Sequence, residues 1–149
     1  KGKLINKDIK KLNSNITKKN SEIGTIATKI TKNQFLDDSV VKVVTENNIA
    51  KNKISKAKEF LRNYKISKRK KNVYSHVGVY QYKVSILKKF VKLKQTKKEL
   101  INRLEQLRAI ENGIDIDVVY SNNKSSGIDT VEDYVEIKKI MEQNIKHLN

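Results

Sequence analysis

The run Val73-Tyr74-Ser75-His76-Val77-Gly78-Val79-Tyr80-Gln81-Tyr82 decides how this chain is to be read. β-Branched and aromatic residues dominate it, and such residues favour a pleated, half-buried surface, so a strand is predicted over residues 73–82. Downstream of it the pattern turns helical. Residues 83–92 predict a short helix leading away from the strand. Thr96 and Glu99 form a Thr-x-x-Glu capping box that opens a further helix. Leu100, Leu104, Leu107 and Ile110 line one face of it, Glu99 and Arg103 make a supporting i,i+4 pair, and Gly113 closes it as the C′ residue. Residues 114–120, Ile-Asp-Ile-Asp-Val-Val-Tyr, alternate as another strand, and a loop of Asn, Ser and Gly occupies 121–127. Thr130 with Asp133 forms a second capping box before a last helix over residues 131–147.

Working upstream, Leu4, Ile5, Ile9 and Leu12 recur at helical spacing and predict an amphipathic helix over 3–13, broken by Asn and Ser at 13–15. Residues 22–30 alternate and are β-branched, which predicts a strand. Val40, Val41, Val43 and Val44 make a second strand, Glu46-Asn47-Asn48 a turn, and residues 49–54 an antiparallel return. Residues 55–72 read as irregular and basic. Strands alternating with helices, but not in a regular βαβ series, predict an α/β domain with a mixed sheet and flanking helices.

The chain has 149 residues, a formal charge of +17, and neither Cys nor Pro nor Trp. A thiol nucleophile, a disulfide framework and a Cys-based zinc site are excluded. No apolar run approaches the roughly 18 residues that span a bilayer. Of the basic residues 29 are Lys and 4 are Arg, beside 18 Ile and 16 Asn, the bias that AT-rich coding produces. The charge is uneven: residues 1–98 carry a net +21, residues 99–149 a net −4. The densest basic run, Lys65 to Lys71, is readable as a phosphate-contacting patch of a nucleic-acid-binding α/β module or as a solvated loop. With one Arg among its cations it lacks the bidentate groups that phosphate and base readers favour.

Few residues offer chemistry. No Gly-x-Ser-x-Gly elbow and no Gly-rich phosphate loop is present, and the two histidines, His76 and His147, lack metal-ligand spacing. His76 alone reads as a hydrogen-bonded strand histidine or as a site residue. Asp129 precedes the Thr130 cap at a strand–loop–helix transition, where ligands of α/β sheets gather; it suits a Mg²⁺ ligand or an acid at the positive end of a helix.

Together these segments form a pattern. His76-Val77-Gly78-Val79-Tyr80-Gln81-Tyr82 resembles the His-x-Gly-x-Tyr-x-Tyr/Phe strand of the 3-deoxy-manno-octulosonate cytidylyltransferase family, the CMP-Kdo synthetases. Arg103-Leu104-Glu105-Gln106-Leu107-Arg108, followed by Glu111-Asn112-Gly113, is similar to that family's Leu-Glu-Gln-Leu-Arg helix. Gly127-Ile128-Asp129-Thr130 with Glu132-Asp133 resembles its closing Val-Asp-Thr-Pro-Glu-Asp-Leu segment, with Val131 in place of Pro. Val41-Lys42-Val43-Val44 and Ser55-Lys56-Ala57 resemble earlier family segments in the right order, with Lys56 in place of the family's Arg.

The resemblance implies a nucleotide-diphospho-sugar transferase-like, Rossmann-like fold and transfer of CMP from CTP to Kdo, with release of diphosphate, for lipopolysaccharide synthesis. It implies Mg²⁺ as cofactor, a homodimer, a cytoplasmic location and no membrane or nucleic-acid partner. Asp129 would be the catalytic metal ligand. His76 and Tyr80 would contact Kdo from the strand, Glu105 and Gln106 would bind its hydroxyls from the helix, and Ser55 and Lys56 would lie near its carboxylate. Helical phase through Leu104 and Leu107 sets Gln106 away from the apolar face and Glu105 at its flank. The family's Arg-rich phosphate loop and Gln-Gly-Asp-Glu-Pro signature are not in the sequence, and residues 1–13 resemble the helix that comes after that signature. The expectation is therefore that residues 1–149 form the C-terminal sugar-binding and dimerisation part of a single cytidylyltransferase domain, without its N-terminal nucleotide-binding half. Such a chain would be inactive alone and would leave a sheet edge uncovered.

Overall fold

The computed structural model describes residues 2–122, with side chains from Asn6 onward. Five strands organise it: β1 (Ile23–Thr28), β2 (Lys42–Thr45), β3 (Ile54–Leu61), β4 (Val73–Tyr82) and β5 (Ile116–Ser121). They close into a ring in the order β1-β4-β2-β3-β5. β1 runs parallel to β5 and every other pairing is antiparallel, so the sheet is mixed, as the sequence predicts. Among the described residues the uncovered edge is not found, because each of the five strands has two strand neighbours.

Among the described residues seven helices flank the ring: α1 (Gly2–Lys19), α2 (Lys32–Leu36), α3 (Ile49–Asn52), α4 (Tyr64–Ser67), α5 (Val84–Phe90), α6 (Lys97–Asn102) and α7 (Gln106–Glu111). α1 runs past the predicted stop at residues 13–15. Asn and Ser are poor helix formers, but Leu12 and Ile16 bury their side chains against Ile26, Val77 and Val119 on the outer face of the ring. The helix ends where Asn20 turns left-handed, φ 57°, and the Ser21 N–H donates to the Ile16 carbonyl at 3.1 Å. Gly24 on β1 is what lets α1 lie so close, since a Cβ there would overlap Ile16.

Residues 49–72 depart from their sequence reading. The predicted return strand at 49–54 is instead one helical turn, α3, capped by the Asn48 side chain. The irregular stretch after it contains β3 and α4. β3 hides its period because it serves two neighbours. Residues 54–56 pair with β5 and residues 57–61 with β2, with an irregularity near Lys58 that shifts the alternation. Lys42 in β2 is fully buried, and its Nζ donates to the Asp37 and Arg62 carbonyls, both at 2.6 Å. Burial lowers its pKa, an effect that the nearby Asp38 and Asp37 carboxylates oppose.

The single helix predicted after Thr96 is two. Both halves of the Thr96–Glu99 capping box form, but Arg103 adopts φ 52° and ψ 46°, which ends α6, and α7 restarts at Gln106. Leu100 is consequently exposed while Leu104 and Leu107 join the core. The predicted Glu99–Arg103 pair is replaced by Glu99 with Arg108. Gly113 closes α7 with φ 71°, as predicted.

Candidate functional site

The interior of the ring carries the main apolar core, including Ile23, Ala27, Val43, Ala57, Phe60, Tyr74, Ile116 and Val118. Alternation along β1 points Ile23, Thr25 and Ala27 inward, and across β4 they face Tyr82, Tyr80 and His76. Between these pairs β4 bulges: Thr25 sits opposite Tyr80, but Ile26 sits opposite Val77, so Gly78 and Val79 have no partner on β1. The Thr25 hydroxyl pins the bulge by donating to the Val79 carbonyl at 2.7 Å. Two unpaired residues leave the period-two alternation of β4 intact, so His76 and Tyr80, four positions apart, both lie on the inner face.

His76 Nε2 lies 2.9 Å from Thr25 Oγ1. A hydroxyl has one hydrogen, and here it is given to Val79. The contact is therefore best satisfied by His76 donating its Nε2–H to Thr25, which leaves Nδ1 as the acceptor nitrogen. Phe60 packs edge-on at 5.1 Å from the imidazole and Tyr80 at 5.4 Å, centroid to centroid. Desolvation lowers the His76 pKa to about 4, so the ring is neutral at pH 7. The same burial pushes the Tyr80 and Tyr82 phenols up, helped by the charge of Glu105 near both.

Glu105 and Gln106 enter from the start of α7. The Glu105 side chain is 73% exposed, and its Oε1 lies 3.9 Å from Arg108 Nη2. Gln106 is buried, contrary to the phase argument, because α7 begins afresh at this residue and the phase of α6 does not carry through Arg103. Behind this corner Arg108 holds Glu99 by both carboxylate oxygens, Nε to Oε2 at 2.9 Å and Nη2 to Oε1. The guanidinium also stacks 4.9 Å from the centre of the Phe90 ring, and Phe90 lies 5.9 Å from Tyr82.

The predicted residues are thus placed unequally. His76 and Tyr80 pack together, the charge of Glu105 acts on Tyr80, and Gln106 follows Glu105 at the start of α7. Ser55 lies at the start of β3, opposite the core residue Val118, where its Oγ accepts the Asn47 N–H at 3.0 Å. Lys56 is on the opposite face of β3, paired with Asp115 at 2.9 Å. Asp129, the second capping box, the last predicted helix and His147 lie outside the described residues. Among the described residues no group of three or more His, Asp or Glu is placed to hold a metal ion. In the Lys65–Lys71 run, Lys70 pairs with Glu59 and Lys68 lies over the Tyr64 ring. Among the described residues no helix is long and apolar enough to cross a membrane.

Sequence reasoning misses Thr25 and Arg108. Thr25 reaches His76 across 51 positions, and Arg108 meets Glu99 across a helix break, so no spacing rule reveals either contact.

Comparison with known proteins identifies the family. Residues 4–116 match the family model described as cytidylyltransferase. A 3-deoxy-manno-octulosonate cytidylyltransferase of Thermodesulfovibrio yellowstonii is 42% identical over 126 residues, covering 82% of this chain and 49% of that protein. One of Lawsonia intracellularis is 35% identical over 127 residues, covering 84% and 48%. The chain spans about half the length of the curated relatives it matches. A solved structure of a CMP:2-keto-3-deoxy-manno-octonic acid synthetase complexed with CTP superposes with a TM-score of 0.69 at 25% identity, covering 93% of this chain and 56% of that one. This chain belongs to the cytidylyltransferase family.

Proposed function

We propose that this chain is the sugar-binding part of a 3-deoxy-manno-octulosonate cytidylyltransferase, which couples CTP and Kdo to CMP-Kdo and diphosphate. The observation that supports the reading is the packing of His76 against Tyr80 at 5.4 Å, with the charge of Glu105, from a second motif, felt at Tyr80. A polyhydroxylated sugar acid needs both donors and acceptors held in fixed places, without a full positive charge at every contact. Neutral His76 offers an acceptor at Nδ1, protonated Tyr80 and Tyr82 offer hydroxyls, and Glu105 accepts from sugar hydroxyls. Gln106 and Ser55 complete the proposed set of sugar contacts. Lys56, in place of the family arginine, serves the sugar carboxylate only after leaving Asp115. In the reaction the anomeric hydroxyl attacks the α-phosphorus of CTP, and alignment of two anions is the main demand on the protein. Mg²⁺, with Asp129 as one ligand, would neutralise triphosphate charge. The exposed apolar stripe of Val84 and Leu87 on α5 and Val91 at its C-cap supports a homodimer.

Titration calorimetry of this chain with Kdo tests the reading. Binding that His76→Ala weakens at least tenfold is the expected result. A chain that binds no Kdo, or whose affinity for it is indifferent to His76 and Tyr80, overturns it.

A further inference from the structure

We propose that Arg108 is a positioning residue for the sugar-acid site, acting through the Glu105 carboxylate without touching the ligand; this rests on the function proposed above. Arg108 is itself buried, so it is poorly placed for direct contact. Its guanidinium instead joins three things. It grips both oxygens of Glu99, which is also the N3 residue of the α6 cap and accepts the Thr96 N–H at 3.1 Å. It lies over Phe90, whose ring continues through Tyr82 at 5.9 Å and Tyr80 at 6.1 Å to His76 at 5.4 Å. It turns its Nη2 toward Glu105 Oε1 at 3.9 Å, at the outer reach of an ion pair.

The arrangement fixes the sense of the effect. Glu105 is exposed and long enough to sample many rotamers, and among the described residues its carboxylate is held only by the long ion pair to Arg108. A buried cation held by a second carboxylate gives it a preferred direction, toward the aromatic wall. Arg62 braces the same corner, donating to the Asn102 and Arg103 carbonyls at 3.2 and 3.4 Å, where α6 ends. The α6–α7 break is therefore a built corner that presents the start of α7 to β4. A lysine at 108 would keep a charge but lose the planar fork that serves Glu99 and Glu105 together.

A double-mutant cycle on the purified chain tests this, with Kdo affinity read by calorimetry and folding read by thermal unfolding. Arg108→Lys is expected to weaken Kdo binding about tenfold at temperatures where the variant is folded. In a Glu105→Gln background the same change is expected to cost less than about twofold. Where Arg108→Lys does not fold, the pair of measurements is made on Glu99→Gln, which keeps the cap acceptor and loosens the grip on Arg108. An equal loss in both backgrounds, or none in either, makes Arg108 a structural residue only and overturns the proposal. Absence of Kdo binding by the unsubstituted chain overturns the functional reading and this inference with it. Intact binding with an additive cycle overturns this inference alone.

Discussion

Thr25 Oγ1 stands 2.9 Å from His76 Nε2 while the same hydroxyl closes the β4 bulge on the Val79 carbonyl. One side chain thus sets both the register of β4 and the orientation of its histidine. Thr25→Val keeps the volume and β-branching and removes the hydroxyl. It is expected to cost about 1–2 kcal/mol of stability, since the Val79 carbonyl and His76 Nε2 both lose a buried partner. Kdo affinity should fall by more than that of a core variant of equal stability; denaturant unfolding and calorimetry on the same samples check it.

The lowered pKa of His76 carries a signed pH dependence. The folded value is about 4, below the unfolded reference near 6.5, so between these values the unfolded chain binds a proton that the native chain refuses. The contribution is whole above pH 6.5 and is lost as pH falls through 4. Its size is at most about 3 kcal/mol. His76→Gln is expected to flatten the stability curve between pH 6.5 and 4 relative to the parent. Parallel curves for the two proteins in denaturant titrations would count against it.

Gly24 is the contact point of α1 on the ring. Gly24→Ala is expected to destabilise by about 1–3 kcal/mol, because Ile16 and Leu12 must yield to the new Cβ. Trimming the obstacle should compensate: Ile16→Val with Gly24→Ala is expected to be less destabilised than the sum of the two single changes. Thermal unfolding of the four proteins gives the coupling.

Lys42 ties the loop before β2 to the end of β3 through two carbonyls. Lys42→Met retains the apolar stem and removes the three donors. The Asp37 and Arg62 carbonyls then lose their shared partner, and a loss of about 1–3 kcal/mol is expected. Amide hydrogen exchange should rise around residues 37–39 and 62–64 before it rises in β1.

Much of the architecture is local and therefore legible. β4, β1 and β5 follow from runs of β-branched and aromatic residues. The Thr96–Glu99 box and Gly113 are readable because a cap is satisfied within four residues. The motif strand also carries His76 and Tyr80, which share a face because they stand four positions apart in a strand of period two. β3 is not legible, since its pairing is divided between two strands distant in the chain and its alternation slips at Lys58.

The sequence by itself determined the family pattern, the mixed α/β class, and the residues on which the proposed sugar-acid site rests. Those properties reside in local propensity and in motifs of a few residues. Tertiary structure alone decided that the ring closes, that Arg103 breaks one apolar stripe into two helices, that Gln106 is buried, and that Lys56 faces away from Ser55 toward Asp115. It also decided that Arg108 leaves its own helical neighbourhood for Glu99. A buried guanidinium takes whichever carboxylate can satisfy its fork with least exposure to water, and where that carboxylate lies depends on the path of the whole chain.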